Sequence, residues 1–424
     1  MQTKSLLSHI KLALLGVSVL VFLASGCNNE GGKPDAQLSA KLDAIRQAGH
    51  PVTLAELNAW YVEPPASENA APLYAEAFAA LAPVEATSPS FLAQNQKALE
   101  LLHQAASRNK CRYPVDLTKG YSSLLLHLRD IKKCAQLLSQ AANSHAANGQ
   151  MGPAAQSLLD GLHLARSVEA EPVLVSQLVR IASETIIQTG LESVLNRKAF
   201  TDEQLVRLQA AFREAESGGM MTRALAAERC NAIAVFQMPP SEQATAFPQR
   251  EGAAKNIDTG AYRKSAIDAK FKFFLDRMAE GVKATTLPFP KGLEAASQWA
   301  DLNEATTKGY QESGVMLQSF ASSLEKAAEC AGRLRVTQAA LAMERYRLAH
   351  KNALPASLDE LAPRFIDLIP DDPFDGQPLR YTKASPKGFL IYSIGNDRKD
   401  DGGTPQPTSA RTDQPYDLTF AVRR

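Results

Sequence analysis

The chain has 424 residues, and its 46 basic and 45 acidic side chains leave a formal net charge of +1. Hydrophobic residues make up 45% of the chain, which is the proportion of an ordinary globular protein. A nucleic-acid surface needs an excess and clustering of lysine and arginine, so this balance argues against a nucleic-acid partner. The length predicts two or three domains.

The N-terminus has the order of a secretion signal. Lys4 and Lys11 are followed by an apolar run over 12–23, shorter than the roughly 20 residues that a membrane-spanning helix needs. The run ends in Leu-Ala-Ser-Gly-Cys at 23–27, which resembles the lipobox of bacterial lipoproteins. The resemblance implies a signal peptide over 1–26, cleavage before Cys27 and lipid on the Cys27 thiolate. An uncleaved anchor helix and an ordinary signal peptide are the alternatives.

The polar stretch that follows predicts a flexible tether over 27–36. Residues 1–26 carry two lysines and no acid, so the cleaved chain keeps 44 basic and 45 acidic residues. By resemblance to other lipoproteins, a residue other than aspartate after the cysteine, here Asn28, implies the outer membrane. We therefore expect a lipid-anchored protein of the cell envelope that faces the periplasm and has an envelope protein as partner.

Four cysteines remain besides Cys27, namely Cys111, Cys134, Cys230 and Cys330. An even number in an exported chain favours disulfides, each of which stabilises a fold by about 2–4 kcal/mol. We expect the pairs Cys111–Cys134 and Cys230–Cys330, because the first two cysteines lie near each other in sequence. Buried free thiols are the alternative. No Cys-x-x-Cys or Cys-His cluster in the sequence matches a zinc site.

Helical periodicity runs from residue 37 to about 350. Capping boxes at 53–56 and 201–204 predict two helix starts, and Pro and Gly mark the breaks. A polar segment over 239–256 predicts an exposed loop. Long helices are expected over 121–147, 171–195, 265–282 and, as one helix or a pair, 292–350.

One helix pair has a recognisable hairpin pattern. Asn148 and Gly149 end its first helix, and Pro153 opens the second. Its small and apolar residues resemble the pattern of a tetratricopeptide hairpin at Leu138, Ala142, Gly149, Ala154, Leu158 and Ala165. The resemblance covers about 34 residues without a second clear copy, so a repeat array is weakly supported.

The last hundred residues change character. Strands are expected over 379–383, 389–394 and 417–422, with a hairpin turn at 385–388. We place a boundary at 325/326, which gives a mainly α-helical domain over 37–325 and a small α+β domain over 326–424. Asp371 and Asp372 lie between two prolines, which favours turn chemistry over an acid–base pair.

The α+β region resembles the globular domain of the major pseudopilin of type II secretion systems. The matching segments are 354–361, 370–381 and 389–397, followed by Gly402 and Gly403. They carry a proline-marked loop, a D-P-[FW]-x-[GN] turn and an S-[LI]-G-x-D motif in the family's order. A pseudopilin begins with a prepilin peptidase site and a polymerising helix, which a lipobox and a long helical region replace here. The resemblance therefore implies a fold and an ion site, without membership of the secretion machine.

In the pseudopilin family, the loop after S-[LI]-G-x-D binds calcium. The ligands implied for this chain by position are the carbonyls of Ile394 and Lys399 and the carboxylates of Asp397, Asp400 or Asp401, and Asp417. Calcium takes six to eight oxygen ligands, which such a loop supplies. The family's glycine after Asp397 is replaced by Arg398. A solvated acidic loop without an ion is the alternative.

The helical body resembles a group of envelope proteins from planctomycete-type bacteria, in segments 68–71 and 111–115. No function comes with this resemblance. The sequence has no H-E-x-x-H, G-x-S-x-G, P-loop or dinucleotide motif. We therefore expect a non-enzymatic protein-interaction or scaffold role. The alternatives are a ligand- or polysaccharide-binding lipoprotein with a pocket near 239–256 and, ranked last, a hydrolase with an unrecognised site.

Overall fold

The structure is a computed structural model that describes residues 35–216, 219–238, 260–384, 387–407 and 415–424. The expected signal peptide, Cys27 and the loop over 239–256 lie outside these ranges. The described chain is mainly helical and has a three-stranded antiparallel sheet near its C-terminus, as the sequence predicts. Within this described part, no helix combines the length and apolar content needed to cross a bilayer.

The structure describes fourteen α-helices. The first five are α1 (Ala36–Gln47), α2 (Leu54–Trp60), α3 (Ala71–Ala79), α4 (Phe91–Gln94) and α5 (Gln96–Ala105). After a 3-10 turn at Leu117–Ser122 come α6 (His127–Ala147), α7 (Met151–Arg166), α8 (Leu174–Leu195), α9 (Asp202–Ala215) and α10 (Met220–Phe236). The last four are α11 (Gly260–Ala284), α12 (Lys291–Trp299), α13 (Leu302–Thr307) and α14 (Gln311–Ala349).

Local sequence chemistry sets several helix ends. Both capping boxes form: the Thr53 hydroxyl accepts from the Glu56 N–H at 3.2 Å, and Thr201 does the same for Gln204 at 3.3 Å. The helix expected from residue 121 begins at His127 instead. Gly120 has φ of +55° and ψ of −130°, which breaks the helical path before that point.

Helices α6 and α7 form the predicted hairpin, and α8 packs closely on both. Gly149 turns the chain with φ of +76°. A Cβ on Gly161 would lie 2.2 Å from Cδ1 of Ile187, and a Cβ on Gly190 would lie 2.4 Å from Oγ of Ser139. Since neither glycine has a Cβ, the helices approach closely, as the small residues of this region predict.

Helix α14 lies at the centre of the molecule. Every residue over 336–343 is buried, so this stretch has no solvent-facing side. The helix packs on α8 and α9, and it also packs on the sheet. The boundary expected at 325/326 falls inside this 39-residue helix, and one hydrophobic core runs from Ile45 to Val422. The C-terminal region therefore shares a helix and a core with the helical body.

The sheet is the predicted set of three strands, β1 (Arg380–Lys383), β2 (Phe389–Ser393) and β3 (Leu418–Val422). Their order is β1-β2-β3, with Phe389 opposite both Lys383 and Val422. Side chains at the C-terminal end of α8 form hydrogen bonds with the backbone along the free edge of β3. The side-chain amide of Asn196, at the end of that helix, donates to the carbonyl of Ala421 at 2.7 Å. The carboxylate of Glu192 accepts from the backbone N–H of Ala421 at 2.9 Å. These bonds occupy an edge that would otherwise be open for pairing.

The chain after α14 is called the tail below, and the structure describes its residues 350–384, 387–407 and 415–424. The tail packs against α14 at a glycine of that helix, Gly332. A Cβ on Gly332 would lie 3.0 Å from Cδ1 of Leu418, 3.3 Å from Oγ of Ser393 and 3.4 Å from Cγ of Pro373. Two strands and the proline-marked turn therefore meet at this glycine. Its lack of a side chain allows the close approach.

Candidate functional site

The carboxylate of Asp372 organises the C-terminal region. It is fully buried, and its two oxygens accept from the N–H of Phe374 at 3.0 Å, the hydroxyl of Ser393 at 2.9 Å and the N–H of Ile394 at 2.9 Å. Burial raises the pKa of Asp372, and the hydrogen bonds lower it. The residue thus joins the turn to the end of β2, which agrees with the prediction of turn chemistry at this position.

Arg380 on β1 neutralises this carboxylate. Its guanidinium donates to Asp372 at 2.7 Å, forms an ion pair with Asp375 and lies 4.0 Å from Asp400. This arginine is not among the site residues predicted from the sequence. The sequence did offer one signal for this ion pair. A basic residue lies five positions after Asp375, on the strand that follows the same turn.

The acidic loop brings three carboxylates together beside the start of β3. Asp417 is buried, and it accepts from the N–H of Gly403 at 2.7 Å and weakly from that of Asp401 at 3.5 Å. Burial raises the pKa of Asp417, and the negative charges of Asp400 and Asp401 raise it further. One oxygen of Asp401, Oδ2, is buried and has no hydrogen-bond partner among the described residues.

The remaining implied calcium ligands lie around this cluster. Asp397 is exposed, and its side chain accepts from the N–H of Lys399 at 3.1 Å in a local turn. Ile394 is buried at the end of β2. Within the described chain, no three His, Cys, Asp or Glu side chains stand in an arrangement that would hold a metal ion. The structure thus brings Asp400, Asp401 and Asp417 together more loosely than a metal site requires and leaves Asp397 in solvent.

These residues fit a cation in one respect. A buried carboxylate oxygen without a donor, as on Asp401, carries a free-energy cost that a cation would remove. Asp417 adds a second buried carboxylate beside it, and Arg380 reaches only the neighbouring Asp400 at the 4.0 Å limit of an ion pair. The donor set is all oxygen, which is what calcium prefers.

The four cysteines are free thiols, so neither expected disulfide is formed in the structure. Cys330 donates to Glu184 at 3.1 Å, whereas the charged neighbours of Cys230 are Glu56 and Arg229. The two cysteines thus lie in different surroundings. Burial raises the pKa of Cys111 and of Cys230 to about 12, and it raises those of the other two thiols as well.

A buried polar network surrounds Glu171, at the turn before α8. Its carboxylate, which is fully buried, accepts from the hydroxyls of Tyr61 at 3.3 Å and of Ser176, and Nε2 of His127 lies 3.0 Å away. The ring of Tyr113 stacks on His127 at 4.1 Å. A serine nucleophile is activated when an imidazole accepts its proton, but here Ser176 donates to the carboxylate. The arrangement is that of a satisfied structural network.

A second set of buried polar residues lies on α10. Burial raises the pKa of Glu228 to about 7, while the N–H of Leu174 at 3.3 Å lowers it. Burial also lowers the pKa of Arg229 to about 10, and one of its terminal nitrogens lies 3.0 Å from Nδ1 of His50. Glu228 and Arg229 are both buried, so α10 carries charged side chains into the interior of the protein.

The aromatic residues near the N-terminus take part in helix packing. Tyr61 and Tyr74 are buried, and Phe78 stacks against Tyr74 at 6.2 Å. The guanidinium of Arg223 covers the ring of Trp60 at 4.1 Å. These contacts are those of packed helices.

An open groove of about 480 Å³ lies between α11 and α13. Charges of both signs line it around an aromatic pair, Phe273 and Tyr310, whose centroids are 5.3 Å apart. The groove, called the α11–α13 groove below, is formed chiefly by Lys272, Phe273, Asp276, Arg277, Glu304, Lys308 and Tyr310.

Comparisons with known proteins do not assign the chain to a family. No family model matches the sequence, and neither curated proteins nor solved structures gave a match. The proposals below therefore rest on the residues and contacts described above.

Replacing Asp372 with asparagine is expected to lower the free energy of unfolding by about 3–5 kcal/mol. The change breaks the buried ion pair with Arg380, and it turns an NH₂ group towards hydrogen-bond donors that the carboxylate now accepts from. Asp371→Asn, one residue earlier and exposed, is the matched control and is expected to change stability by about 0.5 kcal/mol or less. Urea unfolding of both variants at pH 7 measures the difference. Equal effects at the two positions would contradict the role assigned to Asp372.

Proposed function

We propose that the chain is a lipid-anchored cell-envelope protein with a non-enzymatic interaction role, whose C-terminal region is stabilised by calcium. The observation that carries the calcium proposal is the unpartnered oxygen of Asp401 beside the buried carboxylate of Asp417. The signal-like N-terminus and Cys27 support the anchor. The chain would face the periplasm from the outer membrane.

The finer fold assignment is part of the same proposal. The α6–α7 hairpin supports the tetratricopeptide-like interpretation, since the small residues of that pattern, Ala142, Ala154 and Ala165, are buried between helices. The strand order and the turn bound by Asp372 support a pseudopilin-like tail. A surface for a protein partner is supported by the exposed side chains of Val62 and Leu126.

The calcium ion would be held by the carboxylates of Asp400, Asp401 and Asp417, together with the carbonyls of Ile394 and Lys399 and the side chain of Asp397. A bound ion would offset the repulsion among these carboxylates and fix the loop against β3. The chain's own residues already supply part of this order, because Asp417 accepts from the backbone of Gly403.

Ligand binding is the second candidate function, and the α11–α13 groove is the observation that favours it. The groove lies on α11, the helix that follows the loop over 239–256 near which the sequence predicts a pocket. A polysaccharide or another polar ligand would suit its mixed charges. A hydrolase is ranked last, because Ser176 and His127 both contact Glu171 and no contact joins them among the described hydrogen bonds.

Calcium is expected to bind the purified full-length chain with one-to-one stoichiometry in titration calorimetry. At one hundred times the dissociation constant it would add about 2.7 kcal/mol to the free energy of unfolding. Asp417→Asn is expected to remove this increment, whereas Asp359→Asn, exposed on a distant turn, is expected to keep it. The full chain is needed because a fragment from residue 326 would begin inside α14. If the unmodified chain gave no binding heat with calcium, the proposed calcium site would be contradicted.

Lipid attachment is expected to depend on Cys27 alone among the cysteines. Cells that express the full precursor would place the protein in the membrane fraction with labelled fatty acid attached. Cys27→Ser is expected to abolish the label and release processed protein or retain an unlabelled precursor, whereas Cys111→Ser keeps the label. Labelling that persists in Cys27→Ser would contradict the proposed anchor.

A further inference from the structure

We propose that the α11–α13 groove binds the zwitterionic headgroup of a bilayer phospholipid, and that this face of the molecule lies on the membrane that holds Cys27. The inference rests on the lipid anchor of the proposed function. It goes beyond that anchor because it assigns a lipid-binding site to the folded part of the chain.

The groove carries charges of both signs in reach of one ligand. Nζ of Lys308 bonds to Glu304 at 2.9 Å, and a terminal nitrogen of Arg277 lies 3.4 Å from the same residue. The side chain of Lys308 is half-exposed and, as an ammonium group, keeps N–H donors for a phosphate oxygen. Arg277 also pairs with Glu280 on the rim at 3.0 Å, and its Nε has no partner among the described atoms.

The charges of this region balance. Two further ion pairs, Lys272 with Asp35 and Lys41 with Asp276, close the wall of the groove towards α1. A balanced surface gains little from the general attraction of basic segments to anionic lipids. It suits a ligand that itself carries both signs, namely a phosphodiester joined to an ammonium group.

The aromatic floor fits the same ligand. Nζ of Lys308 lies 5.1 Å from the ring centroid of Phe273, and the partly exposed Tyr310 extends the aromatic surface. An aromatic face attracts a substituted ammonium group within about 6 Å. We therefore assign the phosphate to Lys308 and Arg277, and the ammonium group to Tyr310 with Asp276 or Glu304.

The anchor places the groove near the bilayer. Asp35 is the N-cap of α1 and bonds to the groove residue Lys272, so the tether ends at the wall of the groove. Seven residues, 28–34, separate it from Cys27, so the eight Cα–Cα steps reach at most about 29 Å.

A shallow site is sufficient in this arrangement. A short tether gives a surface ligand an effective concentration on the order of millimolar, so a weak site is still filled. An open groove without deep burial would hold a headgroup poorly in solution and well beside the membrane. The site is therefore expected to show no tight binding of free phosphate.

The test uses the chain from Cys27 onwards, joined in vitro to a lipid by thioester ligation at its N-terminal cysteine. This coupling does not depend on acylation in cells, so failure of the groove is distinguishable from failure of the anchor. Hydrogen exchange is measured over 268–310 on vesicles of phosphatidylethanolamine, of phosphatidylglycerol and of a phosphate-free galactolipid. We expect slower exchange over 269–277 and 304–310 on phosphatidylethanolamine than on the other two.

Lys308→Gln is expected to weaken headgroup binding about fivefold, which corresponds to the about 1 kcal/mol of one exposed charged contact. Lys283→Gln, the same change at an exposed position of α11 outside the groove, is expected to leave the protection intact. Equal exchange on all three vesicles would overturn the proposal. So would protection by phosphatidylglycerol alone, or by 20 mM inorganic phosphate added to galactolipid vesicles.

Discussion

The structure depends on a stretch of helix that has no side facing water. Residues 336–343 of α14 are buried all round, which requires packed partners in every direction. Helices α8 and α9 supply part of this cover, and strands β2 and β3 supply another part. The helical body and the tail therefore share one hydrophobic core. Gly332 shows the consequence in one place, because both strands and the proline-marked turn approach the helix where a side chain is missing.

Two buried carboxylates of the tail differ in the hydrogen-bond donors and charges that surround them. Asp372 receives hydrogen bonds from the backbone and from Arg380, so its burial fixes the geometry of the turn. Asp417 receives two backbone bonds but faces Asp400 and Asp401, and one oxygen of Asp401 has no donor in the described chain. Buried charge without a partner is costly, so the first arrangement is complete whereas the second leaves a carboxylate oxygen unsatisfied.

Features set by neighbouring residues could be predicted from the sequence. The capping box at Thr53, the turn at Gly149 and the three strands are local, and the structure confirms them. The shared core of the helical body and the tail could not be predicted, because helical periodicity does not reveal what covers the second face of α14. The disulfide pairs depended on sequence distance, whereas tertiary packing places Cys330 against Glu184. The acidic loop was predicted as a site by position, but the role of Arg380 emerges only when β1 returns to the turn.

The central claim is that body and tail form one cooperative unit through α14. Native-state hydrogen exchange of the full chain at increasing urea tests it most directly. The account predicts that amides over 336–343 and over 389–393 exchange through the same global opening, with one free energy and one dependence on urea. Strand amides that open at a lower free energy than the helix, with a smaller dependence on urea, would show a separately unfolding tail and contradict the account.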